Sequence, residues 1–400
     1  MIKRMYLDIF KDHCKKYRQM IMLSGPRQVG KTTTCKELSD FYFNWDRKED
    51  REVILQGEDA LAEKIGLNIR TAKHPFIILD ELHHYPKWKQ FLKGYFDTYG
   101  EDAHTIVTGS ARFDLHKRGK GDSLMRRYFS FNMHPLSVGE LLRPTLPKTE
   151  IAAPKKLSDE EWETLRRFGG FPEPFTAASD AFSRRWRKSR REQMIRTDIA
   201  KETGIKELDQ LESLALILAK NSGSQVVYSS LANDIQVSEV TIRAWIKVLI
   251  AFFFGFTVPP WSKSLPNAIK KTPKWYLRDW SGIKDEGQKN ETIMACHLLK
   301  AVDTWNDLGF GEYELFYLRD KNQKEVDFLV TKDEAPWFMV EVKTSETKVA
   351  PSLNIMQSKL NAPYAFQVVA DLPFEPVDAF DKIREKPSVI SMRSFLSQLP

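Results

Sequence analysis

The chain has 400 residues, too many for one hydrophobic core, and so implies about two to four domains. It is 42% apolar, 12% aromatic and 29% charged, the composition of a folded soluble protein, and its net charge of +7 leans toward a polyanionic partner such as nucleic acid. The longest apolar stretch, Val248–Val258, is about half the length needed to cross a bilayer, which argues against a membrane partner.

Lys3 and Arg4 lead into a mixed amphipathic segment, so no signal peptide is expected. Cys14, Cys35 and Cys296 are too widely spaced for a disulfide framework or a zinc site, and a reducing cytoplasm fits them best. His83 and His84 are adjacent, and on an extended segment they would point to opposite sides in a structural role. Up to about Leu142 short apolar runs alternate with amphipathic stretches. The runs Met20–Leu23, Val53–Leu55, Phe76–Leu79 and Thr105–Thr108 are read as strands, with a helix through Thr33–Phe41, which implies a parallel α/β sheet.

Between the first run and that helix, Gly25-Pro26-Arg27-Gln28-Val29-Gly30-Lys31-Thr32 matches G-x-x-x-x-G-K-[ST] in full. Such a loop turns backbone N–H groups, continuing to Thr33, around phosphate oxygens at a helix N-terminus. Lys31 would reach the β and γ phosphates, and Thr32 would place its hydroxyl on magnesium. Phe76-Ile77-Ile78-Leu79-Asp80-Glu81 supplies a second strand end: Asp80 would hold the magnesium through water and Glu81 would act as general base. A third strand ends at Gly109-Ser110-Ala111-Arg112, where Ser110 is placed to sense the γ-phosphate. Arg112 and Arg127 are candidates for the cation that stabilises the transferring phosphoryl group, with a surface ion pair as the alternative for each.

Further along, Arg143–Lys156 is rich in Pro and Lys and reads as a boundary, and a helical region follows to about residue 207. Within it, Arg184 to Arg191 packs six basic residues into eight, with Arg196 beyond, either a surface for nucleic-acid phosphates or a solvated helix paired with acids. Leu208–Lys220, Tyr228–Asp234 and Val237–Ala251 read as three helices, followed by a β-wing over Phe252–Leu277, the layout of a winged helix-turn-helix. In its recognition helix Ser238, Thr241 and Arg243 could reach a groove, while Val240, Ile242, Trp245 and Leu249 would serve the core. A helix at Asn290–Val302 and strands at Tyr313–Leu318, Glu325–Thr331 and Trp337–Lys343 return the chain to α/β.

These motifs together resemble the bacterial and archaeal AAA+-type ATPases that carry a C-terminal restriction-endonuclease-like region. The resemblance rests on the P-loop, Leu79-Asp80-Glu81, Thr108-Gly109-Ser110-Ala111-Arg112, Asp122-Ser123-Leu124 and Arg127-Tyr128-Phe129. It extends through Pro135-Leu136-Ser137 with Glu140, Gly169-Gly170-Phe171-Pro172-Glu173, Glu325-Val326-Asp327-Phe328 and Glu341-Val342-Lys343. It implies an α/β multidomain chain: a P-loop (AAA+-like) domain at 1–145, a helical lid at 146–207, the winged helix at 208–280 and a PD-(D/E)xK nuclease-like domain at 281–400. Because AAA+-like domains often complete their sites with a neighbour's arginine, a homo-oligomer is an expected assembly.

The last carboxylates also have a reading of their own. Residues two apart in a strand share a face, so Glu325 pairs with Asp327 and Glu341 with Lys343. If the two strands form a hairpin, Asp327 sits near Glu341 and Lys343, and Glu291 supplies a helix-borne acid. Such a set either holds a second divalent ion, Mg2+ or Mn2+, for phosphodiester cleavage with Lys343 assisting, or is a degenerate remnant kept for scaffolding. The expected function is ATP hydrolysis with magnesium coupled to DNA binding and metal-dependent cleavage, the alternative being a nucleotide-driven switch that cuts nothing.

Overall fold

The computed structural model describes residues 2–67, 74–109, 124–262 and 272–400. It divides into two compact units, Met1–His134 with Pro144–Leu146 and Pro135–Arg143 with Pro147–Pro400.

The first unit is built on five parallel strands, β1 (Met20–Ser24), β2 (Phe41–Asn44), β3 (Phe76–Asp80), β4 (His104–Gly109) and β5 (Tyr128–Asn132), in the order β2-β3-β4-β1-β5. Every residue of β1 is buried, the mark of a central parallel strand covered on both faces. Met22, Ile77, Leu79 and Val107 from the sheet meet Phe91, Leu92 and Tyr95 of the helix Trp88–Tyr99 in one core. Strand order reverses beside β1, and in such sheets ligands bind at the C-terminal strand ends where the order reverses, here at the loop leaving β1. Sheet and loop together make this a P-loop NTPase α/β fold.

Two expectations about the strands and the helix after the loop are corrected here. Val53–Leu55 is helical, inside Lys48–Gln56, where Ile54 is 1% exposed and Leu55 55%. Three apolar residues carry no period, and the preceding Glu49 and Asp50 suit a helical first turn. The helix after the P-loop is Lys31–Leu38 rather than one reaching Phe41, which instead begins β2 and pairs with Ile77.

The second unit starts with the helices Val138–Leu142, Asp159–Phe168, Pro172–Ala177 and Asp180–Gln193, the last running on through a π-helical turn at Met194–Ile199. Leu208–Lys220, Tyr228–Ile235 and Glu239–Ala251 follow, then an antiparallel hairpin of β6 (Gly255–Val258) and β7 (Lys274–Leu277). A second sheet has the order β12-β11-β10-β9-β8. Its strands are β8 (Tyr313–Arg319), β9 (Glu325–Lys332), β10 (Ala335–Lys343), β11 (Tyr364–Val369) and β12 (Ser388–Ser391). The first three form an antiparallel meander, and β10, β11 and β12 run parallel. The helices Glu286–Asp307 and Pro351–Leu360 pack against this sheet.

The Glu286–Asp307 helix also anchors Val138–Leu142. Lys300 and Glu140, 1% and 0% exposed, form an ion pair, and the Lys300 ammonium also donates to Pro135 O at 3.1 Å. His297 Nε2 accepts the Val138 N–H at 3.1 Å while Nδ1 lies 2.8 Å from Ile293 O. The Val138 bond requires a neutral ring with its proton on Nδ1, and burial lowers the His297 pKa to about 4.

Candidate functional site

The P-loop spans the step from β1 to the helix Lys31–Leu38, with Pro26, Arg27, Gln28 and Val29 between its two glycines. Gly25 is required because a Cβ there would lie 2.5 Å from Met133 O, and Gly30 because its φ is +103°. Lys31 is 6% exposed, and its ammonium donates to Gly25 O at 2.8 Å and Pro26 O at 3.0 Å. Burial lowers its pKa to about 8, against the opposing pull of Glu81 and Asp80. Thr32 and Thr33 follow on the exposed side of the first helical turn. Behind the loop, Arg4 donates to Val29 O at 2.5 Å and His134 O at 2.6 Å. Sequence reading missed this brace, since nothing local ties Arg4 to a loop so far along the chain.

Asp80 closes β3 beside the loop. Thr32 Oγ1 donates to its Oδ2 at 3.0 Å, Tyr42 OH to the same oxygen at 2.5 Å, and Thr108 Oγ1 to Oδ1. Parallel pairing sets Asn44 and Thr108 on either side of Asp80, which is how β2 and β4 deliver their hydroxyls. Burial first, and the Asp80 bond second, raise the Tyr42 phenol well above its ordinary value. A buried carboxylate ringed by hydroxyl oxygens is a donor set for a hard cation, so Thr32 and Asp80 fit magnesium. Tyr42 and Thr108 were not foreseen at this site, Tyr42 because the helix was read through Phe41 and no strand was expected after it.

Glu81 follows in a left-handed conformation, φ +55°. His83 and His84 lie on a single 3-10 turn, not an extended segment, so both rings turn toward Glu81. His83 Nδ1 is 3.5 Å and His84 Nε2 3.9 Å from its Oε2, and the two ring centroids are 4.1 Å apart. Ser110 and Arg112 lie outside the described residues. Arg127 is not brought to the loop. It precedes β5, whose Tyr128 pairs with Met20, so it sits at the sheet edge opposite the P-loop, where it binds Asp97 through two bonds of 2.7 and 2.8 Å.

In the second unit the hairpin β9–β10 does bring the expected carboxylates together. Val342 N–H donates to Asp327 Oδ2 at 2.9 Å, and Lys343 donates to Glu341 Oε1 at 2.8 Å. Glu291 joins from the helix Glu286–Asp307. A residue not expected there, Lys274 of β7, stands between Glu325, Glu291 and Asp327. Its ammonium lies 2.6 Å from Glu325 Oε1, 3.0 Å from Glu291 Oε1 and 3.4 Å from Asp327 Oδ1. Tyr276 OH donates to Glu291 Oε1 at 2.6 Å. Burial works to lower the Lys274 pKa, yet the charges of Glu291, Asp327 and Glu325 outweigh it and hold the amine above the ordinary lysine range. Burial, reinforced by Asp327, raises Glu291 and Glu341 to about 7. The second divalent ion expected on Glu291, Asp327 and Glu341 therefore does not fit this arrangement, because an ammonium already stands against two of those acids, Glu291 and Asp327.

Family models match three consecutive segments of the chain. Residues 159–283 match a "Domain of unknown function (DUF8612)" and residues 286–393 a "Domain of unknown function (DUF4143)". Residues 17–142 match the AAA domain. The AAA domain so defined contains the whole P-loop and the Asp80 cluster. An uncharacterized protein of Methanocaldococcus jannaschii is 24% identical over 313 residues, 68% of this chain and 64% of that protein. An uncharacterized protein of Mycobacterium bovis is 24% identical over 347 residues, 84% of this chain and 72% of that protein. The chain thus spans just under two thirds of the archaeal relative. Among solved structures, AMPPCP-bound DnaA from Aquifex aeolicus aligns with a TM-score of 0.30 at 13% identity, over 60% of this chain and 86% of that one.

Outside the AAA domain, the residues read as nucleic-acid contacts are partly engaged within the protein. Arg187 donates to Ser281 Oγ at 3.0 Å, Arg190 stacks 4.2 Å over Phe171, and Arg196 binds Asp209 and Glu212 at 2.8 and 2.7 Å. Arg184 and Arg185 remain solvent-facing. Ser238 caps its own helix through Thr241 N–H, and Arg243 lies 3.7 Å over Tyr228. Val240, assigned to the core, is 76% exposed, whereas Ile242, Trp245 and Leu249 are buried as expected. Position 240 falls in the helix's first turn, on the side away from Ile242.

Proposed function

We propose that the AAA domain binds ATP with magnesium and hydrolyses it, and that the remainder of the chain is a DNA-binding region governed by that cycle. The observation that carries the first part is the convergence of Thr32 and Asp80 at 3.0 Å beside the buried ammonium of Lys31. An incoming triphosphate offers Lys31 better acceptors than the carbonyls of Gly25 and Pro26, so the ammonium transfers to the β and γ phosphates. Thr32 and Asp80 would hold magnesium, which neutralises phosphate charge. Glu81 accepts a proton from water as the water oxygen bonds to the γ-phosphorus and the bond to the bridging oxygen breaks, leaving ADP and phosphate.

Residues 208–280 are read as a winged helix-turn-helix on the strength of three helices followed by a two-stranded hairpin, and residues 281–400 as a nuclease-like sheet on the carboxylates of β9 and β10. DNA as the partner is supported by the solvent-facing Arg184 and Arg185 and the net charge of +7. Lys274 favours the version in which this region cuts nothing.

Phosphate release and nucleotide binding test the reading together. Glu81→Gln should lower hydrolysis by about 10²–10⁴-fold while leaving ATP bound, and Lys31→Ala should weaken binding itself. Hydrolysis at the wild-type rate in Glu81→Gln removes the general base from the scheme.

A further inference from the structure

The centre of the second unit's carboxylate cluster is held by a side chain from another part of the fold. Lys274 opens β7, and its backbone is fixed on two sides, by pairing with Val258 of β6 and by a bridge to Gln225. Its side chain is 5% exposed and reaches acids from two further elements, Glu291 of the helix Glu286–Asp307 and Glu325 and Asp327 of β9. An ammonium carries three N–H donors, and here three carboxylates surround it. The contacts of 2.6 to 3.4 Å are those of hydrogen bonds and ion pairs; a divalent metal would draw the same oxygens to about 2.0–2.6 Å. Glu341 stands alongside, 7% exposed, with its Oε1 bound to Lys343.

We infer that Lys274 is the resident cation of this cluster: a tethered ammonium takes the position a divalent ion would occupy, and the site stays closed to metal while the β6–β7 hairpin is in place. Two cations cannot share the centre, since each would lie within a few ångströms of the other in a poorly solvated corner. The same ion pairs clamp the hairpin to the helix and the sheet, so the acids serve assembly where a phosphodiesterase would use them for catalysis. This inference does not depend on ATP hydrolysis by the AAA domain.

Manganese binding by the full-length chain, measured calorimetrically without nucleotide, tests it. Wild type and Asp327→Asn should bind Mn2+ indistinguishably, because Asp327 holds no metal in either. Lys274→Met, which keeps bulk and removes the charge, should gain at least a tenfold increase in Mn2+ affinity that the added Asp327→Asn abolishes. A folded Lys274→Met protein, judged by circular dichroism, that gains no site overturns the inference. Mn2+ uptake by wild type that Asp327→Asn removes overturns it as well, and this comparison stands even if Lys274→Met does not fold. Refolding of that variant only when Mn2+ is supplied counts in favour.

Discussion

Lys31 and Lys274 are both buried lysines close to acids, and their surroundings drive them in opposite directions. Lys31 rests on two backbone carbonyls, its acidic neighbours are not in contact through any described bond, and burial lowers its pKa to about 8. Lys274 is surrounded by three carboxylates whose charge overrides burial. A lysine that holds its proton less firmly, on neutral acceptors, is prepared for a polyanion that would hold that proton more tightly. One already saturated with carboxylates has no unmet demand and acts as a counterion. On the proposed reading, the same residue type marks a binding site in one unit and a closed site in the other.

The sharpest way to break this contrast is the unfolding free energy of Lys274→Met. Removing one partner of a buried ion network leaves the rest uncompensated, and a loss of about 3–5 kcal/mol is expected by urea titration. A loss below about 1 kcal/mol would mean that the ammonium contributes little. On the P-loop side, Arg4→Ala removes two charge-assisted bonds behind Val29 and should cost about 1.5–3 kcal/mol in the first unit, with weaker nucleotide binding. Stability unchanged in Arg4→Ala would show that the loop needs no brace. The third effect, the smallest over any single pH unit, concerns pH. His297 has a folded pKa near 4 against 6.5, so the stability it contributes is present above pH 6.5 and is lost as pH falls toward 4. Glu291 and Glu341, raised to about 7, act with the opposite sign, gaining stability as pH falls through that value. The difference between wild type and His297→Gln isolates the histidine and should shrink by about 1.4 kcal/mol per pH unit over that range. A pH-independent difference would place the proton elsewhere.

Much of the AAA domain was legible because its chemistry sits at strand ends next to each other in sequence. Gly25 to Thr32 is one contiguous segment, and the buried run Ile77–Leu79 points directly to Asp80. The β9–β10 carboxylates were legible for a related reason: a period of two fixes which side chains share a face, and one hairpin suffices to bring Asp327 to Glu341. Lys274 and Arg4 were not, since each reaches its partners only after distant elements have packed. Tyr42 was lost with β2, a short strand separated from the helix only by Ser39 and Asp40, with no Gly or Pro to mark the change. Val53–Leu55 failed for the converse reason, three apolar residues being as compatible with one helical face as with a strand.

With Glu81 as the general base proposed above, its left-handed backbone sets evolution of hardier variants against turnover. Glycine, or asparagine to a lesser degree, would adopt φ +55° at lower cost, a gain of about 1 kcal/mol for an otherwise neutral exchange. A selection for heat resistance that ignores catalysis should therefore drift toward those residues at position 81. It would collect proteins that outlast the natural chain in the cuvette and leave their nucleotide intact.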